Sequence, residues 1–372
     1  MTKLASTFYL LFMAYSKEGR LERLCSFIEQ KEIDGVIVTH PSNIRYFTRF
    51  SGEEGIFLAF PPEWMLLVDP RYTLRAEEES EGVVVREAAR PWEDIGRLLD
   101  RKGKIRVGIE TAFLSVDRFR RLRRAMPKAG IKSLRDALDS LRMVKEEKEI
   151  AKIQEAVEIH TRALDRTLAW VSPDMTERRW AIEFEYQAKQ LGAEALSFDT
   201  IVASGARSAI PHATSAPVSL ELGAPLVFDH GVKWEGYCSD ETATFFTGRP
   251  SKDFRNIYAV VKDAHDAAIE RIQPGVRAAE IDAVARKVIE KAGYGPYFTH
   301  STGHGVGLEI HERPTIGPRD DTRLEVGMVF TVEPGIYLRD KGGVRIEDMV
   351  VVTEDGCRML TKRDKSLTVI FY

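Results

Sequence analysis

From residue 18 to about residue 138, apolar positions switch between a helical period and short continuous runs. Leu21 to Glu32 reads as an amphipathic helix, and Gly35-Val36-Ile37-Val38 as a buried strand. Gly55-Ile56-Phe57-Leu58-Ala59-Phe60 and Trp64-Met65-Leu66-Leu67-Val68 pair across a Pro-Pro-Glu turn. Val83-Val84-Val85 and Ile105 to Ile109 add strands, with helices at 91–102 and 115–126 between them. Strands alternating with helices predict a compact α/β unit over 13–138. No chemical constellation falls inside it. Its arginine stripe, Arg118, Arg120, Arg121, Arg123 and Arg124, reads as a solvated helix face.

The segment LDSLRMVKEEKE at 139–150 is charged and leads into a long helix, so the second domain is placed over 139–372. Ile150, Ile153, Val157, Leu164, Leu168 and Val171 form one stripe along that helix. A weak internal echo follows. Helices near 145–171 and 176–191 precede a hairpin ending near Gly248, and helices near 252–272 and 277–292 precede a second hairpin. Pro274-Gly275 and the Gly293-Tyr294-Gly295-Pro296 turn punctuate the second half. Two helix–helix–hairpin halves predict a pseudo-twofold sheet covered by helices on one outer face.

Each hairpin carries two acids. Asp229 and Asp240 flank a turn-like Lys233-Trp234-Glu235-Gly236, which is expected to bring them face to face. Glu333 and Glu347 flank Asp340-Lys341-Gly342-Gly343. His304 lies between the two pairs, in STGHGVGLEIHERP, where glycines permit close backbone approach. Two carboxylates about 4 Å apart repel by roughly 4 kcal/mol at an effective dielectric of about 20, so a bare cluster must protonate or unfold. Two divalent cations would cancel four negative charges. An oxygen-rich set with one imidazole suits manganese or cobalt, with zinc also compatible. Such a pair activates water near neutral pH. Any one of these residues alone would read as a turn or surface acid.

Bulk properties narrow the function classes. The chain has 372 residues, 44% hydrophobic and 9% aromatic, which describes a globular protein with room for two cores. A net charge of −3 gives no reason to expect nucleic acid or an anionic membrane as partner. Three scattered cysteines, Cys25, Cys238 and Cys357, argue against a disulfide framework and for the cytoplasm. The apolar run Phe8 to Tyr15 is too short to span a bilayer, and residues 1–12 read as an N-terminal extension before Met13. His160 reads as a packed helix residue and His230 as an outward strand residue.

These motifs resemble the pita-bread metallopeptidases, in the branch of aminopeptidase P and prolidase. The resemblance runs through VFDHG, GYCSDET, TGHGVGLEIHE, FTVEPGIY and GGVRIED, in that order, and covers nearly the whole chain. It implies a creatinase/prolidase-type N-terminal domain and a catalytic pita-bread domain. The metal ligands it implies are Asp229, Asp240, His304, Glu333 and Glu347. It further implies catalytic roles for His212, His311 and Arg345; His300 reads as support for His304, and Thr242 and Arg313 as residues beside the metals or the substrate. Two departures stand out. The family's Thr-Arg-Thr reads Thr242-Ala243-Thr244 here, and an arginine that holds a dipeptide's carboxylate is replaced by Thr315, with Arg313 two residues away.

The resemblance implies hydrolysis of the bond between an N-terminal residue and proline by a homodimeric, dinuclear enzyme. Glu333 would move the proton and the two histidines would stabilise the oxyanion. Thr315 tilts the expectation toward an aminopeptidase accepting longer proline-containing peptides, with an Xaa-Pro dipeptidase as the alternative. Methionine aminopeptidases share the catalytic fold but lack such an N-terminal domain. A metal-free peptide-binding descendant is the non-enzyme alternative, against which all five ligand types are intact.

Overall fold

The computed structural model describes residues 19–100 and 103–370; the expected 1–12 extension and the whole Phe8 to Tyr15 run lie outside them. The chain divides into two units, between Arg142 and Met143.

In the first unit, six strands form one sheet: β1 (Gly35–Val38), β2 (Gly55–Phe60), β3 (Glu63–Val68), β4 (Val84–Glu87), β5 (Arg106–Ile109) and β6 (Gly130–Ser133). Their order is β4-β3-β2-β1-β5-β6. The β1–β2 and β2–β3 pairs are antiparallel and the remaining pairs parallel. Helices α1 (Arg20–Gln30), α2 (Pro41–Thr48), α3 (Thr73–Glu79), α4 (Pro91–Asp100) and α5 (Val116–Ala125) connect them. Ile37, Leu58, Leu67, Val107 and Ile109 of the sheet pack with Ile95, Leu99 and Leu122 of α4 and α5. The five arginines of α5 are all exposed, while Leu122 is the helix's buried residue. Sequence pattern misses α2, α3 and β6. The first two are under nine residues each, too short to show a helical period, and β6 is an edge strand with little buried apolar content.

The second unit opens with α6 (Glu147–Trp170) and α7 (Glu177–Gln190). Thr176 caps α7 by accepting from the Arg179 amide at 3.2 Å. Strands β7 (Ala195–Leu196), β8 (Ile201–Ser204), β9 (Pro225–His230), β10 (Val232–Trp234), β11 (Tyr237–Cys238) and β12 (Glu241–Phe246) follow. The second half repeats the plan with α8 (Lys252–Arg271), α9 (Ala278–Lys291), β13 (Gly303–Gly305), β14 (Glu312–Ile316), β15 (Val329–Val332), β16 (Gly335–Leu338), β17 (Gly342–Arg345), β18 (Asp348–Thr353), β19 (Gly356–Met359) and β20 (Thr368–Val369). One sheet runs β20-β12-β9-β8 and the other β14-β13-β15-β18-β19, with β11-β10-β7 and β16-β17 as smaller ladders.

Strand period places the chemistry. On β9, Leu226 and Phe228 join Trp180 and Phe184 in the helix-side core, so Asp229 faces the other way. On β12, Ala243 and Phe245 join the same core, which puts Asp240, Thr242 and Thr244 on the face of Asp229. The same alternation corrects the reading of His230. It lies on the helix-covered face and is fully buried, 4.9 Å from the rings of both His160 and Phe184.

Between β9 and β12 the backbone leaves no room at Gly231, where a Cβ would collide with the Ser239 carbonyl oxygen. Gly231→Ala is expected to cost about 1–3 kcal/mol, the usual penalty for overpacking. Gly130→Ala, whose added Cβ meets nothing nearer than 3.5 Å, serves as control. Equal urea midpoints for the two variants would contradict this account.

Candidate metal centre

Glu235 and Gly236 both have positive φ, 44° and 82°, and form the two-residue turn between β10 and β11, where Trp234 pairs with Tyr237. That register continues into the β9–β12 ladder and sets Asp229 opposite Thr242. Asp229 and Asp240 are therefore not directly opposite, as a turn one residue earlier would make them. Asp240 is the diagonal neighbour of Asp229 on the same face, still within reach.

The glutamate hairpin keeps the expected register. The ladder on one side ends at Val332 opposite Asp348, and the other begins at Gly335 opposite Arg345. Glu333 and Glu347 stand in register in the gap. His304 projects from the middle of β13, opposite Thr315 of β14. Its neighbours must be glycine: a Cβ at Gly303 would collide with the Thr331 carbonyl, and one at Gly305 with the Arg313 carbonyl.

These elements bring the side chains together. His304 Nε2 lies 3.6 Å from Asp240 Oδ2 and 3.4 Å from Glu333 Oε1. Ligand atoms of Asp240, His304 and Glu347 all fall within 4.8 Å of one another. Asp229 joins from the side of Arg345, whose Nη2 donates to its Oδ2 at 2.5 Å. Arg345 Nε donates to Thr242 Oγ1 at 2.9 Å, and that hydroxyl donates to Glu347 Oε2 at 2.6 Å. Thr242 thus carries the arginine's polarisation to the last glutamate.

Electrostatics identify what the cluster lacks. Burial pushes Glu333 up to about 8, with Arg345 only partly opposing it. Burial first, then the neighbouring acids, raise Asp240 and Glu347 well above the usual carboxylate range. Burial also raises Asp229, against the pull of Arg345. His304 is pushed down to about 3 by burial and by His311, so its ring is neutral at ordinary pH. Its Nδ1 lies 3.1 Å from the Gly305 carbonyl and donates to it, which leaves the Nε2 lone pair facing the carboxylates. Lone pairs therefore converge on lone pairs. The second oxygen of Asp229 is buried with no hydrogen-bond partner. Four carboxylates, one oriented imidazole and an orphaned carboxylate oxygen fit a pair of divalent cations.

The remaining expected residues ring this centre. His311 stands at the surface with its ring partly covered, edge-on to His304 at 4.3 Å between centroids. Burial and the charge of His212 lower its pKa, and His212 also acts on Asp229, which puts both histidines at the mouth of the site. His300 does not bond His304. Its Nδ1 lies 2.7 Å from the Ser301 carbonyl and its Nε2 2.9 Å from Tyr337 Oη, because Tyr337 on β16 intervenes. Arg345 Nη1 also donates to Tyr337 Oη, at 3.1 Å, and to the Pro211 carbonyl, at 3.1 Å, one residue from His212. Tyr337 and Thr331, whose hydroxyl accepts from the His304 amide at 3.1 Å, are not singled out by the sequence motifs. Period two along β16 is the signal for Tyr337, which pairs with Gly343 and so stands diagonal to Arg345. Arg313 is exposed, in the irregular stretch of β14 beside His304, and acts electrostatically on Asp320.

Residues 151–354 match metallopeptidase family M24, and residues 20–144 match the creatinase/prolidase N-terminal domain. The chain belongs to metallopeptidase family M24. Among its relatives, the Xaa-Pro dipeptidase of Pyrococcus furiosus is 39% identical over 94% of this chain and 99% of its own length. The solved Xaa-Pro dipeptidase from Bacillus anthracis superposes with a TM-score of 0.91, at 36% identity over 94% of this chain and 99% of that one. An X-Pro aminopeptidase from Thermotoga maritima superposes at 0.85, with 38% identity over 92% of this chain and 99% of that one. This M24 chain is a metallo-exopeptidase with the two-domain, pita-bread architecture of its branch. Among the described residues, no helix is long and apolar enough to cross a membrane.

The pKa shifts give a signed prediction. A carboxylic acid raised in the folded state lends stability below its unfolded pKa and loses it as pH rises through the folded value. Between pH 6.5 and 8 the buried histidines, with His304 at about 3 and His300 at about 4, stay neutral. Glu333, at about 8, ionises across that window. Metal-free protein should therefore unfold at lower urea at pH 8 than at pH 6.5, and saturating Mn²⁺ should abolish the difference.

Proposed function

We propose that this M24 peptidase hydrolyses Xaa-Pro dipeptides, using Asp229, Asp240, His304, Glu333 and Glu347 to hold two divalent ions, manganese or cobalt before zinc. Bound there, the ions would neutralise the acids and supply water activated near neutral pH. Glu333, 3.4 Å from His304 at the centre of the cluster, accepts the proton from that water and passes it to the leaving proline nitrogen. His212 and His311 at the mouth donate to the carbonyl oxygen as it gains charge. Arg345 holds Asp229 and Thr242 in place.

Arg313 carries the choice of substrate length. Thr315 lacks a charge to hold a free carboxylate, which favoured longer peptides on sequence grounds. Arg313 lies on the same strand, in the irregular stretch opposite His304 and Gly305, and its guanidinium would offer a cation for a dipeptide's C-terminus. The dipeptidase relatives at up to 39% identity favour the same reading. The aminopeptidase reading keeps one supporting observation, the likeness to the Thermotoga maritima enzyme.

Xaa-Pro and Xaa-Pro-Yaa peptides compared in Mn²⁺ and Co²⁺ decide between them. The dipeptide should be turned over faster, and Arg313→Ala should raise KM for the dipeptide alone. Faster cleavage of the tripeptide, unaffected by Arg313→Ala, would return the assignment to an aminopeptidase. His311→Ala should lower kcat by about 10²–10³, as removal of one oxyanion donor does, with metal content unchanged.

A further inference from the structure

Behind the metal-facing side of the strands lies a second, wholly buried set of charges that the reaction does not use. Glu241 follows Asp240, and Asp348 follows Glu347, so alternation turns both acids away from the centre. Lys365 is the cation between them. Its ammonium donates to Glu241 Oε1 and lies 3.2 Å from Asp348 Oδ1. Each acid then meets one histidine from the long helix of its own half. His160 Nε2 of α6 lies 3.1 Å from Glu241 Oε2, and His265 Nε2 of α8 lies 3.1 Å from Asp348 Oδ2. Thr361 Oγ1 donates to Asp348 Oδ1 at 2.5 Å, and Ser239 Oγ stands 2.8 Å from His160 Nδ1. The arrangement repeats across the pseudo-twofold, with the lysine bridging its two halves.

His160, His230 and Glu241 also have the spacing of a metal site. Lys365 already supplies the cation there, so a tie is the better reading than a third ion. The tie has something to hold. Strands β12 and β18 belong to different sheets and share no ladder. Beside the site they meet through the Glu347 amide, which donates to the Thr242 carbonyl at 3.2 Å. Position 243, where the family pattern has arginine, is Ala243 on the same face as Glu241. A cavity of about 70 Å³ lies beside it, lined in part by Arg363 and Lys365.

We propose that Lys365 is a positioning residue for the metal centre, tying β12 to β18 from behind through Glu241 and Asp348 and so fixing the separation of Asp240 and Glu347. The proposal rests on the dinuclear reading above. With the ammonium removed, two buried acids face each other across the sheet junction, and the strands that carry the ligands move apart.

Metal affinity of the full-length apoprotein, measured by titration with Mn²⁺ against a competing chelator, is the primary readout. Lys365→Met should weaken binding about 10–100-fold, as loss of outer-shell support does, and should change the visible absorption of the Co²⁺-loaded protein. Lys365→Arg should recover part of the affinity. Should Lys365→Met fail to fold, the double variant Glu241→Gln/Lys365→Met removes the facing charge along with the tie, and should fold while still binding metal weakly. A folded variant with wild-type affinity and an unchanged Co²⁺ spectrum would overturn the role of Lys365. A wild-type chain that takes up no metal would overturn the reading beneath it, and the two failures are distinct.

Discussion

Mutual repulsion among buried acids is the constraint around which the second unit is organised. Asp229, Asp240, Glu333 and Glu347 are each driven toward the protonated form by burial, and three of them are driven further by one another's charge. Arg345 opposes this at all four acids, with smaller help from Thr242, Thr331 and His212 at individual acids, and one guanidinium cannot balance four carboxylates. The fold tolerates the deficit because the acids sit on paired strands fixed by backbone ladders, with the helices of each half packed behind. A pair of divalent ions would turn this repulsion into attraction that holds the ligand-bearing strands together.

Arg345 shows how a single side chain serves several demands. Its guanidinium donates to Asp229, Thr242, Tyr337 and the carbonyl beside His212. It therefore connects the first aspartate, the last glutamate through Thr242, and the mouth of the site. A lysine could not make these contacts from one position, because its donors share one nitrogen.

Much of this was legible in the residues. The stripe on α6 and the two helix–helix–hairpin halves follow from period alone, and the family motifs name the acids in order. Glu333 and Glu347 stand in register as their turn suggests. The aspartate pair is offset because turn centring depends on which two residues accept positive φ, and Glu235 accepts it although it is not glycine. His230 misleads because strand alternation gives the face and not what covers that face. His300 reads as support for His304, whereas Tyr337, far along the chain, takes its ring nitrogen. The back layer of Glu241, Asp348, Lys365, His160 and His265 spans over two hundred positions of chain, so no local motif marks it.

The two-sided character of β12 and β18 restricts how this chain can change length. Front and back acids are sequence neighbours, Asp240 with Glu241 and Glu347 with Asp348. Removing one residue from either strand next to these pairs would exchange them, presenting the lysine-bound acid to the solvent-facing pocket and sending a ligand into the lysine's chamber. Insertions or deletions there are tolerable only in twos, a parity rule that descendants of this sequence must obey if both layers are to survive.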